Sequence, residues 1–395
     1  IPPDGSMLVT AAHSLNRAPR PFCAFEPVLG GAGTETVVDY ALDASHRSRV
    51  LAVHMSSGDD GVVSSLYESL DAGRTSAPFG APLPAAEVAF AVTLDIAPSE
   101  PNRIYVSAAG KAEAELLLRS DDAGATWTST PLAVEPEEYP YIAAVHPVDA
   151  DVLYVRTDFW KLDEQGVPVG NDGLIHSEDG GATFREIHRA AGKLFGFALS
   201  PDGTEIVVGY GDPVESSRRV EPSVLGIYRA ATADHVFSKI YEGSVTCLAW
   251  TANGLYVCTS QAERGFALGI APNADFELTT KDPLTPLLDL KAVKAPLDCP
   301  AESSGAACRE RWSESCAIFG NCDAGAAGSG TAGMAGSGTG AAGTSPGSGD
   351  DSSCGCRTTG ARTRTGALAL VALVTAALAR RLRFRSRRRE RSKGP

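Results

Sequence analysis

A unit of about fifty residues recurs along this chain, and it restricts the fold more than any other feature. Each copy opens on an apolar segment, a polar turn carrying Pro, Asp or Gly, and a second apolar segment. The pairs begin at Val37 (VVDYALDASHRSRVLAV), Phe90, Tyr141, Phe195 and Val245. Alternation at period two and β-branched content mark both segments as strands. A second element follows each pair: Ser120-Asp121-Asp122-Ala123-Gly124-Ala125-Thr126-Trp127 and Ser177-Glu178-Asp179-Gly180-Gly181-Ala182-Thr183-Phe184 are alike in type. Ser69, Asp71, Gly73 and Thr75 repeat the pattern without its aromatic, and Ala231–Phe237 keeps only the Asp and the aromatic. The starting serines are separated by 51 and 57 residues.

Short strands at this period, four to a unit, predict an all-β propeller. Parts of six blades are legible, with room for a seventh ahead of Ile1, so six to seven four-stranded blades are expected. The opening PPDGSMLVTA matches the second half of a hairpin, so the N-terminal blade is incomplete, and Leu287–Val293 is a candidate to complete it. The expected organisation is a propeller over 1–285, a Cys-rich disulfide-stapled extension over 286–323, a disordered Gly/Ala/Ser/Thr linker over 324–353, and a tail over 354–395 with a short hydrophobic helix. At √n scaling the linker reaches roughly 30 Å.

The S-x-D-x-G-x-T-[WF] motif resembles the Asp-box, or BNR repeat, of sialidases, sortilin-type receptors, xyloglucanases and photosystem-assembly propellers. The resemblance is strong over about residues 37–240 and weak on either side. It implies that the boxes sit on outer hairpins, away from the central binding face. Asp71, Asp122 and Asp179 are then turn builders: the carboxylate accepts from backbone N–H groups, the Gly supplies positive φ, the Thr bonds locally, and Trp127 or Phe184 packs between sheets. Asp95 falls where such repeats place a turn-forming Asp before Pro and is read as scaffold.

Two enzyme readings compete with that of a binding module. A sialidase needs three arginines on a carboxylate and a Phe/Tyr-Arg-Ile-Pro start. Arg17–Phe22 does not match that start, and Arg103, Arg119, Arg185 and Arg229 form no evident triad. A glycoside hydrolase with two carboxylates at the central cleft is the alternative. Asp39, Asp43, Asp158, Asp163 and Asp212 are its candidates, and sequence cannot pair them. Tryptophans are few for sugar subsites: Trp127, Trp160, Trp250 and Trp312. The insertions Gly58–Val63 and Asp158–Asn171 lengthen loops, making Phe159, Trp160 and Lys161 the candidate ligand contacts. The seven histidines are scattered without metal spacing, and Asp59-Asp60-Gly61 and Asn171-Asp172-Gly173 read as turns. No catalytic residue, metal or cofactor is expected.

The cellular address comes from the cysteines and the tail. Cys299, Cys308, Cys316 and Cys322 lack zinc-knuckle spacing and predict two disulfides among themselves in an oxidising compartment. Cys247 and Cys258 flank a hairpin turn and are placed either to bond or to pack as thiols. The formal charge of −13 divides into about −24 before Arg357 and +11 from there on, and an acidic body excludes a phosphate-coating nucleic-acid binder. Gly366–Ala379 is an uncharged run of 14 residues followed by eight arginines. As a helix it spans about 21 Å, short of a ~30 Å hydrocarbon core. With Cys354 and Cys356 ahead of it, this tail resembles the MYXO-CTERM sorting signal of myxobacterial surface proteins. That resemblance implies Cys354 and Cys356 as processing or lipidation sites, a sortase-like membrane protease as partner, and membrane attachment before or after processing. The whole reading is an exported, surface-held monomer that binds a protein or glycan without catalysis.

Overall fold

The computed structural model describes residues 4–293 and 299, apart from 12, 21, 31–34, 59–60, 113, 136–137, 160, 163–167, 213–221, 275 and 277–282. The strands form six antiparallel blades in a propeller ring, numbered here in chain order. Blade 1 has three described strands: Met7–Ala11, Ser14–Ala18 and Glu26–Gly30. Blade 2 comprises Glu35–Leu42, Val50–Gly58, Gly61–Ser69 and Ala77–Phe79. Blade 3 comprises Val88–Ile96, Ile104–Gly110, Glu115–Ser120 and Thr128–Leu132. Blade 4 comprises Glu138–Val145, Leu153–Phe159, Gly173–Ser177 and Arg185–Arg189. Blade 5 comprises Lys193–Leu199, Glu205–Gly211, Gly226–Ala231 and Ser238–Glu242. Blade 6 comprises Val245–Thr251, Gly254–Thr259, Leu268–Ala271 and Thr285–Leu288.

From blade 2 onward the strands lie in chain order within each sheet, and the first strands of successive blades touch one another. The first strand is therefore the inner one. Each inner strand of blades 2 to 6 carries a β-bulge, skipping Val38, Val92, Ala143, Phe195 and Thr246 in turn, and blade 3 has a second at Ala89. A bulge adds local twist and bends its strand, and one recurs in the inner strand of five blades.

The core lies between blades, not inside them. One apolar cluster joins blades 1 and 2 through Leu8, Leu15, Val37 and Val50. Others join blade 2 to 3, blade 3 to 4, blade 4 to 5 and blade 5 to 6. A second strand is thus covered on both faces, and every residue of Ile104–Gly110 is buried. Among the described residues no such cluster spans blades 6 and 1. There the Cys23–Cys299 disulfide links the two ends across 276 positions of sequence.

Two expectations are corrected here. Cys299 bonds Cys23, not Cys308, Cys316 or Cys322, so those four do not form two disulfides among themselves; the other three lie outside the described residues. Leu287 and Leu288 end the outer strand of blade 6, paired to Leu268–Ala271, instead of completing blade 1. The propeller therefore runs past residue 285, because its last blade needs a fourth strand. Cys247 and Cys258 face each other in the blade 6 hairpin and are bonded.

Candidate functional site

Strand order gives the ring two unlike ends. Connections from first to second strand and from third to fourth emerge at one end. Connections from second to third, and from one blade to the next, emerge at the other. The Ser-x-Asp-x-Gly-x-Thr turns are third-to-fourth connections, so all occupy the first end.

Three of these turns share one bonding pattern. In blade 4 the Ser177 hydroxyl donates to Asp179 Oδ1 at 2.8 Å and accepts from Gly181 N at 2.9 Å. Thr183 N donates to Oδ1 at 2.8 Å and the Thr183 hydroxyl to Oδ2 at 2.6 Å. Ser120, Asp122, Gly124 and Thr126 repeat this in blade 3, and Ser69, Asp71, Gly73 and Thr75 in blade 2. The Thr183 hydroxyl bond, with the backbone and Ser177 bonds, holds Asp179 at a pKa of about 2, and Asp122 is lowered in the same way. Such carboxylates are committed anions on separate blades. The glycine is needed at Gly181: its φ is +86°, and a Cβ would lie 2.1 Å from Leu117 Cδ2 of blade 3. Trp127 and Phe184 pack against the inter-blade clusters, and the Trp127 indole donates to Ala81 O.

The arginines that a sialidase would converge are divided among different seams between blades. Arg103 bonds Asp121 and Asp151, and Arg119 bonds Asp121 and reaches Gly180 O, both across the seam of blades 3 and 4. Arg185 reaches His235 of blade 5, and Arg229 pairs with Glu205 and reaches Ala274 O of blade 6.

The hydrolase candidates separate as well. Asp39 accepts from Leu94 N of blade 3 at 3.0 Å. Asp43 closes the first turn of blade 2 through Ser45 and His46. Asp212 N donates to the Ser244 hydroxyl, and Asp163 lies outside the described residues. Asp95 is on the inner strand of blade 3, one residue from its end, and not in a turn; it accepts from Ile96 N and from Val145 N of blade 4. Burial pushes its pKa up to about 6 against those two bonds, with a further upward push from Asp39. Asp39 is also raised, chiefly by burial.

The opposite end holds the most elaborate polar cluster, where blade 4 meets blade 5. The excursion from Phe159 to Gly173 leaves between the second and third strands of blade 4 and includes a small hairpin, Lys161–Leu162 with Pro168–Val169. Its base is pinned from three directions. Asp172, fully buried, accepts from Phe159 N at 3.0 Å and from Leu194 N of blade 5 at 2.9 Å. Lys193 stands between Asp172, at 3.1 Å, and Asp158. Arg189 donates to Asn171 O at 2.8 Å while paired with the buried Glu138 and with Glu186. Burial raises the pKa of Asp172, and the Lys193 charge opposes that. The two carboxylate pairs hold the Arg189 guanidinium well above its ordinary pKa, against the downward pull of burial.

Sequence reasoning placed Asn171-Asp172-Gly173 in a turn but missed Glu138, Arg189 and Lys193 as partners of Asp172. Their only sequence signal was position at the ends of predicted strands. Of the proposed contacts, Phe159 is half-buried at the stem, Lys161 is in the hairpin, and Trp160 lies outside the described residues. Among the described residues no group of three His, Cys, Asp or Glu side chains could hold a metal ion, and no helix is long and apolar enough to cross a membrane. Cys354, Cys356 and the apolar run of the tail lie outside the described residues.

No protein-family model matches the chain, and no curated protein does. Solved propellers resemble it in fold. The GH74 xyloglucanase of Xanthomonas campestris aligns at 14% identity and a TM-score of 0.48, over 75% of this chain and 44% of its own. The GH74 enzyme of Niastella koreensis aligns at 17% identity and 0.47, over 68% and 41%. An α-L-arabinanase of Penicillium chrysogenum, complexed with arabinobiose, aligns at 14% and 0.41, over 64% and 81%. The chain spans less than half the length of the two GH74 enzymes it matches.

Proposed function

We propose that this protein is an exported propeller, held at a cell surface by its tail, that binds a glycan or protein through the end opposite its Ser-x-Asp turns. The observation that carries the reading is the pinned stem of the blade 4 excursion. Asp172, Lys193 and Arg189 fix both ends of the Phe159–Gly173 segment to blades 4 and 5. A loop whose base is already ordered loses less entropy when its tip meets a ligand. Within the described cluster each cation is matched by two carboxylates, so its basic groups are occupied in holding the loop. The test is retardation of the full chain in gels containing xyloglucan or arabinan, compared with a variant whose residues 161–169 are replaced by a Gly-Ser linker. Retardation abolished in that variant supports the assignment. Retardation that the replacement leaves intact counts against this end as the binding site, and no retardation counts against these two glycans as ligands. Surface display is tested by adding protease to intact cells: a propeller left undigested there contradicts it.

A second reading, glycoside hydrolysis, is favoured by one observation. Asp95, raised to about 6 beside Asp39, has the acidity of a general acid working near neutral pH. Against it, both Asp95 oxygens accept from backbone, and the residue sits toward the end occupied by the Ser-x-Asp turns. Asp39 and Asp95 serve first to clamp one inner strand to the next. Hydrolysis would show as new reducing ends from the same polysaccharides, lost on Asp95→Asn.

A further inference from the structure

Histidines scattered in the sequence are gathered in space. Four of the seven lie along the seam of blades 4 and 5, two of them in contact. His146, His176 and His188 come from blade 4, and His235 comes from the third-to-fourth turn of blade 5. The His176 and His235 rings are 4.6 Å apart. Tyr154 stacks on His176 at 4.7 Å and packs against Phe197 of blade 5. His188 packs between Tyr210, Tyr228 and Phe237 of blade 5, its nearest ring at 4.5 Å. His176 and His235 are 2% and 8% exposed. His176 Nδ1, His188 Nε2 and His235 Nε2 are buried without a hydrogen-bond partner. In the neutral form these rings are aromatic filler. In the charged form each brings a second N–H into a place with few acceptors, and burying an unmatched charge is costly.

We propose that the His176–His235 contact is an acid-sensitive latch: protonation of the pair loosens blade 5 from blade 4 at that seam. The surrounding charges do not rescue both rings. Glu178 Oε1 lies 3.8 Å from His176 Nδ1 and is the acceptor a charged His176 would use, but it is mostly exposed and also pairs with Arg185. Arg185 donates to His235 Nδ1 at 3.1 Å, so a proton there breaks that bond and sets two cations together. Asp234 favours a charged His235 and Glu186 a charged His188, whereas His146, held on Gly203 O, and His235 both oppose a charge on His176. The tyrosines Tyr154, Tyr210 and Tyr228 stay neutral through this range, since burial raises each. Burial, with the neighbouring His235, brings His176 down to about 4, and burial lowers His235 and His188 as well.

The sign follows from linkage. The unfolded chain binds protons on these histidines from about pH 6.5 downward, whereas in the folded chain burial moves that to lower pH, to about 4 for His176. Stability contributed by the neutral rings is thus complete above pH 6.5 and is lost as the pH falls from there toward 4. The Asp172 and Lys193 clamp crosses the same seam at the ligand end, so opening it would also release the stem of the proposed contact loop.

The experiment compares thermal melts of the full chain at pH 7.5 and pH 5.0 with those of His176→Phe and His235→Phe, which keep an aromatic ring and cannot take a proton. The wild type is expected to lose about 5–10 °C over that interval, with at least half of this loss absent in each variant. An equal loss in wild type and variants overturns the proposal. If a variant does not fold, NMR titration of the imidazoles of the wild type decides. His176 and His235 midpoints below the ordinary ~6.5 support the latch, and midpoints at or above it overturn it.

Discussion

The side chain of Gly181 is a hydrogen atom for two separate reasons, and each can be tested. Positive φ costs an alanine about 1 kcal/mol, and a methyl group there would enter Leu117 of the preceding blade, adding about 1–3 kcal/mol for overpacking. Gly181→Ala should therefore lose roughly 2–4 kcal/mol in urea unfolding, whereas Gly124→Ala, whose Cβ would meet Phe79, Gly80 and Trp127 no closer than 3.4 Å, should lose about 1. Equal losses would show that the close approach to Leu117 is not felt. Lys193 offers a second case. Lys193→Met leaves Asp172 buried against the uncancelled charge of its own carboxylate, and about 3 kcal/mol of stability should go with it. At this scale the Ser, Asp, Gly and Thr of the turns were legible from their spacing alone, because each bonds within four residues of itself. Asp95 was not. Its partner Val145 N lies fifty residues away on another blade, and no local pattern announces such a bond.

At the scale of elements, the hairpins beginning at Val37, Phe90, Tyr141, Phe195 and Val245 became the first and second strands of blades 2 to 6. Strand alternation revealed them even though it fails within Ile104–Gly110, which neighbouring blades cover on both faces. The inner-strand bulges left no readable mark, since a bulge is a mismatch with a partner strand and exists only once the two are paired. The Phe159–Gly173 excursion was visible as an insertion, but its stem was not, because Arg189 and Lys193 reach it from the last strand of blade 4 and the first strand of blade 5. Replacing 161–169 with a Gly-Ser linker should leave the melting temperature within about 2 °C of wild type, since the anchoring residues all lie outside the replaced stretch. A loss of ten degrees would make the hairpin part of the fold rather than an appendage of it.

For the whole molecule the decisive element is closure. Five seams are held by apolar clusters, and the sixth is tied by Cys23–Cys299. Sequence reasoning sought partners for Cys299 among its neighbours because proximity along the chain is the only distance a sequence displays. A ring brings its ends together, and that contact lies outside the repeat. On the chain-entropy account a link closing so long a loop contributes about 5 kcal/mol. Cys23→Ser should lower the denaturant midpoint accordingly, and Cys299→Ser, which breaks the same link and leaves Cys247–Cys258 intact, should reproduce the shift. An unchanged midpoint would mean that packing between blades 6 and 1 suffices.

The same economy governs the acids. Asp71, Asp122 and Asp179 build turns, Asp39 and Asp95 join inner strands, and Asp158 and Asp172 hold Lys193. The proposal that these carboxylates are committed to structure and that the propeller binds without cleaving is tested most directly by incubating the full chain with xyloglucan and arabinan at pH 6 and assaying reducing ends. The account predicts no release above the buffer blank. Release that disappears in Asp95→Asn or Asp158→Asn, with the melting temperature preserved, would contradict it.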